Sequence, residues 1–590
     1  MAFQIEPATN LFQMYLSLAA ILYYLYIGGR SYQKTCENYE LNTLLIGLPL
    51  GLVYLSFSAW GAFMICAIMN TPLQAVTSIV ILIGILIHTL VLDKNRILTS
   101  TKTLLGLLTI VPIVVVIIWV SSEHLVEPSI DHDISVYLGY ASDILENARA
   151  QELPIFWQEI SEFKVPHNNL YVSVLAWTSS VTGEITPHTD QVARAVPQIY
   201  ILTLIISLLA LSNRLGGGVS VLFTSLLLAT MPYLYYIFTA FSVDGYYLVG
   251  LAAILYLILI DKERSITFGI LLGFMGISHN LGLVYGCIIL LIIFLKQPKK
   301  YQAYIPATIV ILFSVLITGI SYIVNEDLGF HYKYYVDDHI LNVYFGDDSS
   351  WRKPMDLVHI ILFLFSNFLN LLGILCISII VNMKFSKNRS EKDLALSVLI
   401  FTSILLVVLM LYTTTKLGFF TSVGNAFVSN FRYGFGLQIL LIIAITVLFT
   451  VMLNRIRQKE LKYFNFLLAF SFFYFAYQSS ANFSMNSFQY SVNERNIWEQ
   501  RVAVCERAKT FDDFVIFTDN IAINYQCGTE FKFTFSKDGS ENLVNKAKPF
   551  ILITSRFEKV WKGSSYFKQI EHPQLFPEIN SYDKIYLKNN

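Results

Sequence analysis

The sequence predicts a polytopic α-helical membrane protein with a small extracytoplasmic α/β domain at its C-terminal end. Three observations predict it. Of the 590 residues 55% are hydrophobic and only 14% charged, with a mean hydropathy of +0.57, the balance of a chain with many spans. Apolar runs of the roughly 20 residues needed to cross a hydrocarbon core of about 30 Å recur along its length. The 44 Phe and 35 Tyr suit the aromatic belts at membrane interfaces. Lys and Arg total 41, as do Asp and Glu, so nothing in the charge points to a nucleic-acid partner.

Taken in order, about 14 candidate spans fall at 11–28, 42–62, 74–92, 103–121, 196–213, 218–238, 245–260, 265–278, 281–295, 304–324, 357–381, 394–413, 434–454 and 463–479. The pair around Ser278-His279-Asn280 is short and also reads as one long bent helix. Residues 1–10 contain no Lys or Arg, so the first run reads as a retained helix, without the basic start of a cleavable signal peptide.

Orientation follows from the loops. Arg30/Lys34, Lys94/Arg96/Lys102, Arg214, Lys262/Arg264, Lys296/Lys299/Lys300, Lys384/Lys387/Arg389/Lys392 and Arg455/Arg457/Lys459/Lys462 occupy alternate loops, and the loops near Asn70, Asp244 and His279 carry neither Lys nor Arg. Basic loops are cytoplasmic by the positive-inside rule. Both termini are then outside, together with segments 122–195, 325–355 and 414–432 and the tail 480–590. Gly216-Gly217-Gly218, just after Arg214, reads as a cytoplasmic turn.

The tail has its own pattern. Runs 514–517, 531–535 and 550–554 look like strands bounded by turn residues, the first and third apolar enough for a parallel sheet covered by helices. An α/β unit of about 90 residues can just hold its own core. Cys66, Cys287 and Cys376 lie in apolar spans and Cys36 in a predicted cytoplasmic loop, leaving Cys505 and Cys527 in the outer unit. In an oxidising compartment these two are a candidate disulfide, with two unpaired thiols the alternative.

The chemistry concentrates just past the fourth span, in Asp131-His132-Asp133-Ile134-Ser135-Val136-Tyr137, with Ala141 one turn on. Carboxylates there would stand at the membrane–water boundary, at the level of a lipid-linked substrate's polar head. The plainer readings are solvated loop acids, or a helix N-cap for 134–146, a role that suits Asp.

Further residues follow in order: Lys164-Val165-Pro166-His167-Asn168-Asn169-Leu170-Tyr171, then Leu175-Ala176-Trp177 and Gly183, Arg194 opening a span, Pro232 and Asp244, and Asn430-Phe431-Arg432-Tyr433 opening a late span. Over roughly residues 110–590 this ordered set resembles the GT-C superfamily of membrane glycosyltransferases, closest to its protein-mannosyltransferase and aminoarabinose-transferase branch, whose members use polyprenyl-phosphate sugars. The chain departs from that pattern in three extra preceding spans, in Asp131-His132-Asp133 where an Asp-Glu pair is usual, and in Asn168-Asn169 where Pro-Pro is usual.

The resemblance implies a division into extra N-terminal helices at 1–102, a GT-C-like module at 103–479 with an outer loop at 122–195, and an extracytoplasmic α/β domain at 480–590. It implies transfer of a sugar from a polyprenyl-phosphate donor to a hydroxyl or amine of a lipid, polysaccharide or protein acceptor. Such a hydroxyl needs a carboxylate to take its proton; Asp133 is the expected base and Asp131 the second choice. Arg432, whose planar fork suits phosphate oxygens, is the expected partner of the leaving phosphate, with Tyr433, Arg194, His279 and Lys164 as further donor contacts. Tyr137, His167 and Asp244 are expected at the acceptor or sugar. A divalent ion, Mg or Mn, held by Asp131 and Asp133 is compatible with the family. Interfacial snorkelling accounts equally well for Arg432, a solvated surface helix for Lys164 and His167, and a loop contact for Asp244.

Among soluble-enzyme motifs there is no Walker loop, dinucleotide fingerprint or zinc spacing. Two rivals remain: a lipid-linked polysaccharide ligase or polymerase, and a transporter or flippase. The transporter reading calls for charges at midplane and an internal repeat, and neither is evident in the sequence.

Overall fold

A computed structural model describes residues 9–69, 74–91, 95–108, 170–180, 191–229, 243–278 and 280–296, isolated helical positions among 110–141, 439–450 and 503–507, Thr510, and four strands between 515 and 588. The helices are α1 (Thr9–Cys36), α2 (Leu41–Met69), α3 (Gln74–Val91), α4 (Thr101–Leu108), α5 (Leu170–Ser180), α6 (Gln191–Gly216), α7 (Gly218–Ala229), a 3-10 helix at Val243–Leu248, α8 (Leu251–Leu259), α9 (Ile266–Ser278) and α10 (Asn280–Lys296). Within α2 and α6, the stretches Leu41–Cys66 and Ala195–Gly216 are long and apolar enough to cross a membrane. The spans expected at 304–324, 357–381, 394–413 and 463–479 lie outside the described residues.

Close packing begins with glycine. A Cβ on Gly28 of α1 would overlap the backbone of Gly51 on α2, and one on Gly51 would overlap Tyr24 and Leu25. The two backbones therefore lie against each other, as small residues permit between apolar helices. From there α2 packs on α3, α5, α6, α8 and α9, so residues 41–69 share one buried core with residues 170–278. The outer faces stay apolar: Leu22 of α1, Leu86 and Leu90 of α3, and Leu105 and Leu108 of α4 are exposed. That pattern suits helices that meet hydrocarbon on one side and protein on the other.

Two turns follow from local sequence. Gly217, at φ +72°, ends α6 and returns its N–H to the Asn213 carbonyl at 2.9 Å, a left-handed cap that glycine adopts without steric cost. The expected glycine turn therefore forms. Between α9 and α10 the chain also reverses: Gly282 lies against the Met275 backbone and Gly286 near Leu272, so the two form a hairpin and not one bent helix. The span expected at 245–260 instead starts as a 3-10 helix and becomes α8 only at Leu251, with Gly245 and Gly250 weakening its first turns.

Among the described residues, one end of the bundle gathers four of the seven basic groups. Lys262 meets Glu37 at 2.7 Å and Arg214 meets Glu40 at 2.5 Å. Arg30 donates to the Asn95 carbonyl at 2.6 Å and to Gln33 at 2.7 Å. Leu98 pairs with the chain at Tyr39–Leu41. Loops following α1, α3, α6 and α8 thus meet at a single end. The Lys262 ammonium holds the exposed Glu37 carboxyl below its ordinary range. Cys36 departs from its expected loop position: it is the last residue of α1, and burial pushes its thiol up to about 12.

In the tail, strands β1 (Val515–Thr518), β2 (Phe531–Phe533), β3 (Phe550–Thr554) and β4 (Lys584–Lys588) make one sheet in the order β2-β1-β3-β4. β1 runs parallel to β2 and β3, pairing Val515 with Phe550, and β4 is antiparallel to β3. Helices that would cover such a sheet lie outside the described residues.

Two measurements test this packing. Gly51→Leu is expected to lower the unfolding temperature in detergent by several degrees, since overpacking alone costs about 1–3 kcal/mol and here the obstacle is backbone. Gly61→Ala, which meets nothing within 4 Å, is expected to hold or raise it. In intact membranes, the exposed Cys287 is expected to react with a lipid-soluble maleimide and to resist a charged one, while buried Cys36 resists both; rapid labelling of Cys36 would contradict its placement.

Candidate functional site

Away from the basic end, a chain of buried aromatic rings crosses the bundle. Tyr137 meets Tyr171 of α5 edge-on at 5.5 Å between ring centres. Tyr171 meets Tyr246 of the 3-10 helix at 4.9 Å, and Tyr246 meets Tyr200 of α6 at 4.6 Å and Phe274 of α9 at 5.0 Å. All five are buried. Rings at these separations in tilted or edge-to-face contact attract beyond their area burial, so five segments remote in sequence are fastened at one place.

The hydroxyls are as ordered as the rings. Ser56 of α2 donates to the Leu52 carbonyl at 2.7 Å and accepts from Tyr246 at 2.9 Å. It also shares a bond of 2.8 Å with the Tyr200 hydroxyl. A serine hydroxyl has one proton and two lone pairs, so these three contacts saturate it. Tyr171 differs: its hydroxyl is fully buried and has no hydrogen-bond partner among the described residues.

Several sequence-selected residues neighbour this cluster along the chain. Tyr137 is itself a member. Asp133 precedes Tyr137 by four positions, and His167 precedes Tyr171 by four. Arg194 lies on α6 six positions before Tyr200, Asp244 two before Tyr246 in the same 3-10 helix, and His279 five after Phe274. The side chains of Arg194 and Asp244 are outside the described residues, as are Asp131, Asp133, Lys164, His167, His279, Arg432, Tyr433, Cys505 and Cys527. Among the described residues no group of three or more His, Cys, Asp or Glu stands ready for a metal ion; Asp131 and Asp133, the pair suited to Mg or Mn, fall outside them.

Geometry along α6 sets the level of the cluster. Arg194 and Arg214 lie about 30 Å apart on an α-helix, close to the thickness of a hydrocarbon core. Tyr200 is about 9 Å from the Arg194 level and about 21 Å from the Arg214 level. The rings therefore lie toward the Arg194 end, the side on which the sequence places its outer loops.

Sequence reasoning missed Ser56, Tyr200, Tyr246 and Phe274. Ser56, Tyr200 and Tyr246 sit within or beside apolar runs, where a lone hydroxyl carries a signal only if its partner is known. No family model, curated protein or solved structure matches the chain.

The hydroxyl pattern makes a prediction for purified protein. Tyr171→Phe is expected to be as stable as wild type or more so, since no bond is lost and a buried unpaired hydroxyl is removed, and Tyr200→Phe to lose about 1 kcal/mol. A large stability loss in Tyr171→Phe would reveal a partner beyond the described residues.

Proposed function

We propose that the chain is an integral-membrane glycosyltransferase that moves a sugar from a polyprenyl-phosphate donor to an acceptor on the outer face. The observation that carries this reading is the buried aromatic cluster of Tyr137, Tyr171, Tyr200, Tyr246 and Phe274, whose members stand within six positions in sequence of Asp133, His167, Arg194, Asp244 and His279. Acid, cation and aromatic rings are the groups that a lipid-phosphate sugar requires. The ordered resemblance to the polyprenyl-phosphate-dependent branch of the GT-C superfamily supports it independently, as does the gathering of basic loops at the end remote from the rings. In this reading about 14 helices cross the membrane and the four-stranded sheet belongs to an α/β domain outside, with Cys505 and Cys527 as its disulfide.

The reaction is a direct displacement. Asp133 takes the proton of the acceptor hydroxyl, whose oxygen attacks the anomeric carbon. The bond from that carbon to the phosphate oxygen breaks as the new one forms, its electron pair leaves with the polyprenyl phosphate, and configuration inverts. The departing phosphate gains negative charge, which Arg432 meets with two parallel N–H donors. Nucleotide sugars are normally confined to the cytoplasm, so a lipid-carried donor fits an outer-face site. A divalent ion on Asp131 and Asp133 would add charge stabilisation at the same place.

Purified protein incubated with a panel of polyprenyl-phosphate sugars and membrane extract tests this. Asp133→Asn is expected to reduce transfer by about a hundredfold or more, the scale of a lost general base, and Arg432→Ala to impair the chemical step more than binding. Undiminished transfer by both Asp133→Asn and Asp131→Asn would rule out the proposed base.

A further inference from the structure

We infer that Ser56 of α2 is a positioning residue of the proposed transfer site, and so that the helices before residue 103 take part in donor binding. The inference rests on the proposed function and extends it to a helix that the family pattern does not supply. Ser56 is completely buried and joins three segments through one oxygen: it donates to Leu52 of α2, accepts from Tyr246, and bonds Tyr200 of α6. Tyr246 is the ring on which the rest of the cluster stands, touching Tyr171, Tyr200 and Phe274. Tyr171 in turn carries a fully buried hydroxyl with no partner among the described residues, and in this proposal it donates to a phosphate or sugar oxygen.

The coupling is mechanical. Without the Ser56 oxygen Tyr246 loses that hydroxyl partner, and Tyr200 is left with its longer bond to the Leu52 carbonyl at 3.4 Å. Tyr246 then no longer has a single orientation, and neither does the edge of Tyr171 packed against it. Ser56 touches no substrate; it acts through these two rings.

The test measures binding of undecaprenyl phosphate to the full-length protein in detergent, with sugar transfer followed in parallel. Ser56→Ala is expected to weaken binding about tenfold, the scale of a modest misplacement, at temperatures well below its unfolding transition. Ser56→Thr, which keeps the hydroxyl, restores most of it. The double variant with Tyr246→Phe loses no more than the worse single change, because both act through one bond. Ser58→Ala, on the same helix, whose hydroxyl donates to the Tyr54 carbonyl at 2.7 Å, leaves affinity unchanged. Equal affinity of Ser56→Ala and wild type overturns the inference, as does a fall in unfolding temperature with affinity intact. If wild type binds undecaprenyl phosphate but transfers no sugar from the panel, the transferase reading fails and the binding series still decides the role of Ser56. If wild type does not bind it, both fall together.

Discussion

The constraint on which this fold depends is the need to satisfy polar side chains buried between apolar helices. Away from water an unmade hydrogen bond costs several kcal/mol, so most buried polar groups among the described residues are paired, many of them with a neighbouring helix. Asn213 of α6 donates to Asn42 of α2 at 3.0 Å. Thr224 of α7 bonds Ser212 of α6 and Thr446, at 2.9 and 2.8 Å, and Ser220 bonds Thr450 at 3.1 Å. Tyr32 of α1 donates to the Ala253 carbonyl of α8 at 2.7 Å, and Thr35 bonds Thr267 of α9 at 2.6 Å. Apolar contact has little power to choose register between helices that are greasy on every side, whereas a hydroxyl with one acceptable partner chooses it at once. The Ser56 network is the same device.

Charge is arranged by the same logic. The cations Arg30, Arg214 and Lys262 meet carboxylates or carbonyls at the ends of helices. Pairs as exposed as Lys262 with Glu37 contribute little to stability. Their value lies in marking one end of the bundle. Glu37 and Asp261 both adopt positive φ, 53° and 55°, so the loops that carry this pairing turn tightly.

Legibility in the sequence followed the strength of the local signal. Long apolar runs such as 42–62 and 196–213 place their helices within a few residues, because twenty apolar positions admit few other structures. The glycine turn at 216–218 was equally plain. Cys36 was misplaced because α1 continues past its apolar run through Arg30 and Lys34, whose long stems suit a helix end. β4 was missed because Lys584-Ile585-Tyr586-Leu587-Lys588 is short and flanked by lysines, a form that sheet edges favour. In the site, the acids stood out as rare charges beside a span, and Tyr137 came with them. Ser56 and Tyr246 are ordinary residues whose meaning lies in contacts across 190 positions of chain, and no periodicity encodes such a contact.

Through α2 the early helices pack into the later region. Read from the sequence, the spans before residue 103 are additions to a module that begins after them. In the folded protein Tyr200 and Tyr246 of the later region bond Ser56 of the earlier one, Tyr200 reaching the Leu52 carbonyl of the same helix as well, and the α1–α2 loop holds Arg214 and Lys262. A helix dispensable to the core would not occupy the centre of its polar network, because removing it would strand hydroxyls on helices that remain. The early helices are therefore part of the framework on which the aromatic cluster is built. A reading of the aromatic cluster that begins at Asp131 omits the residue bonded to two of its five rings.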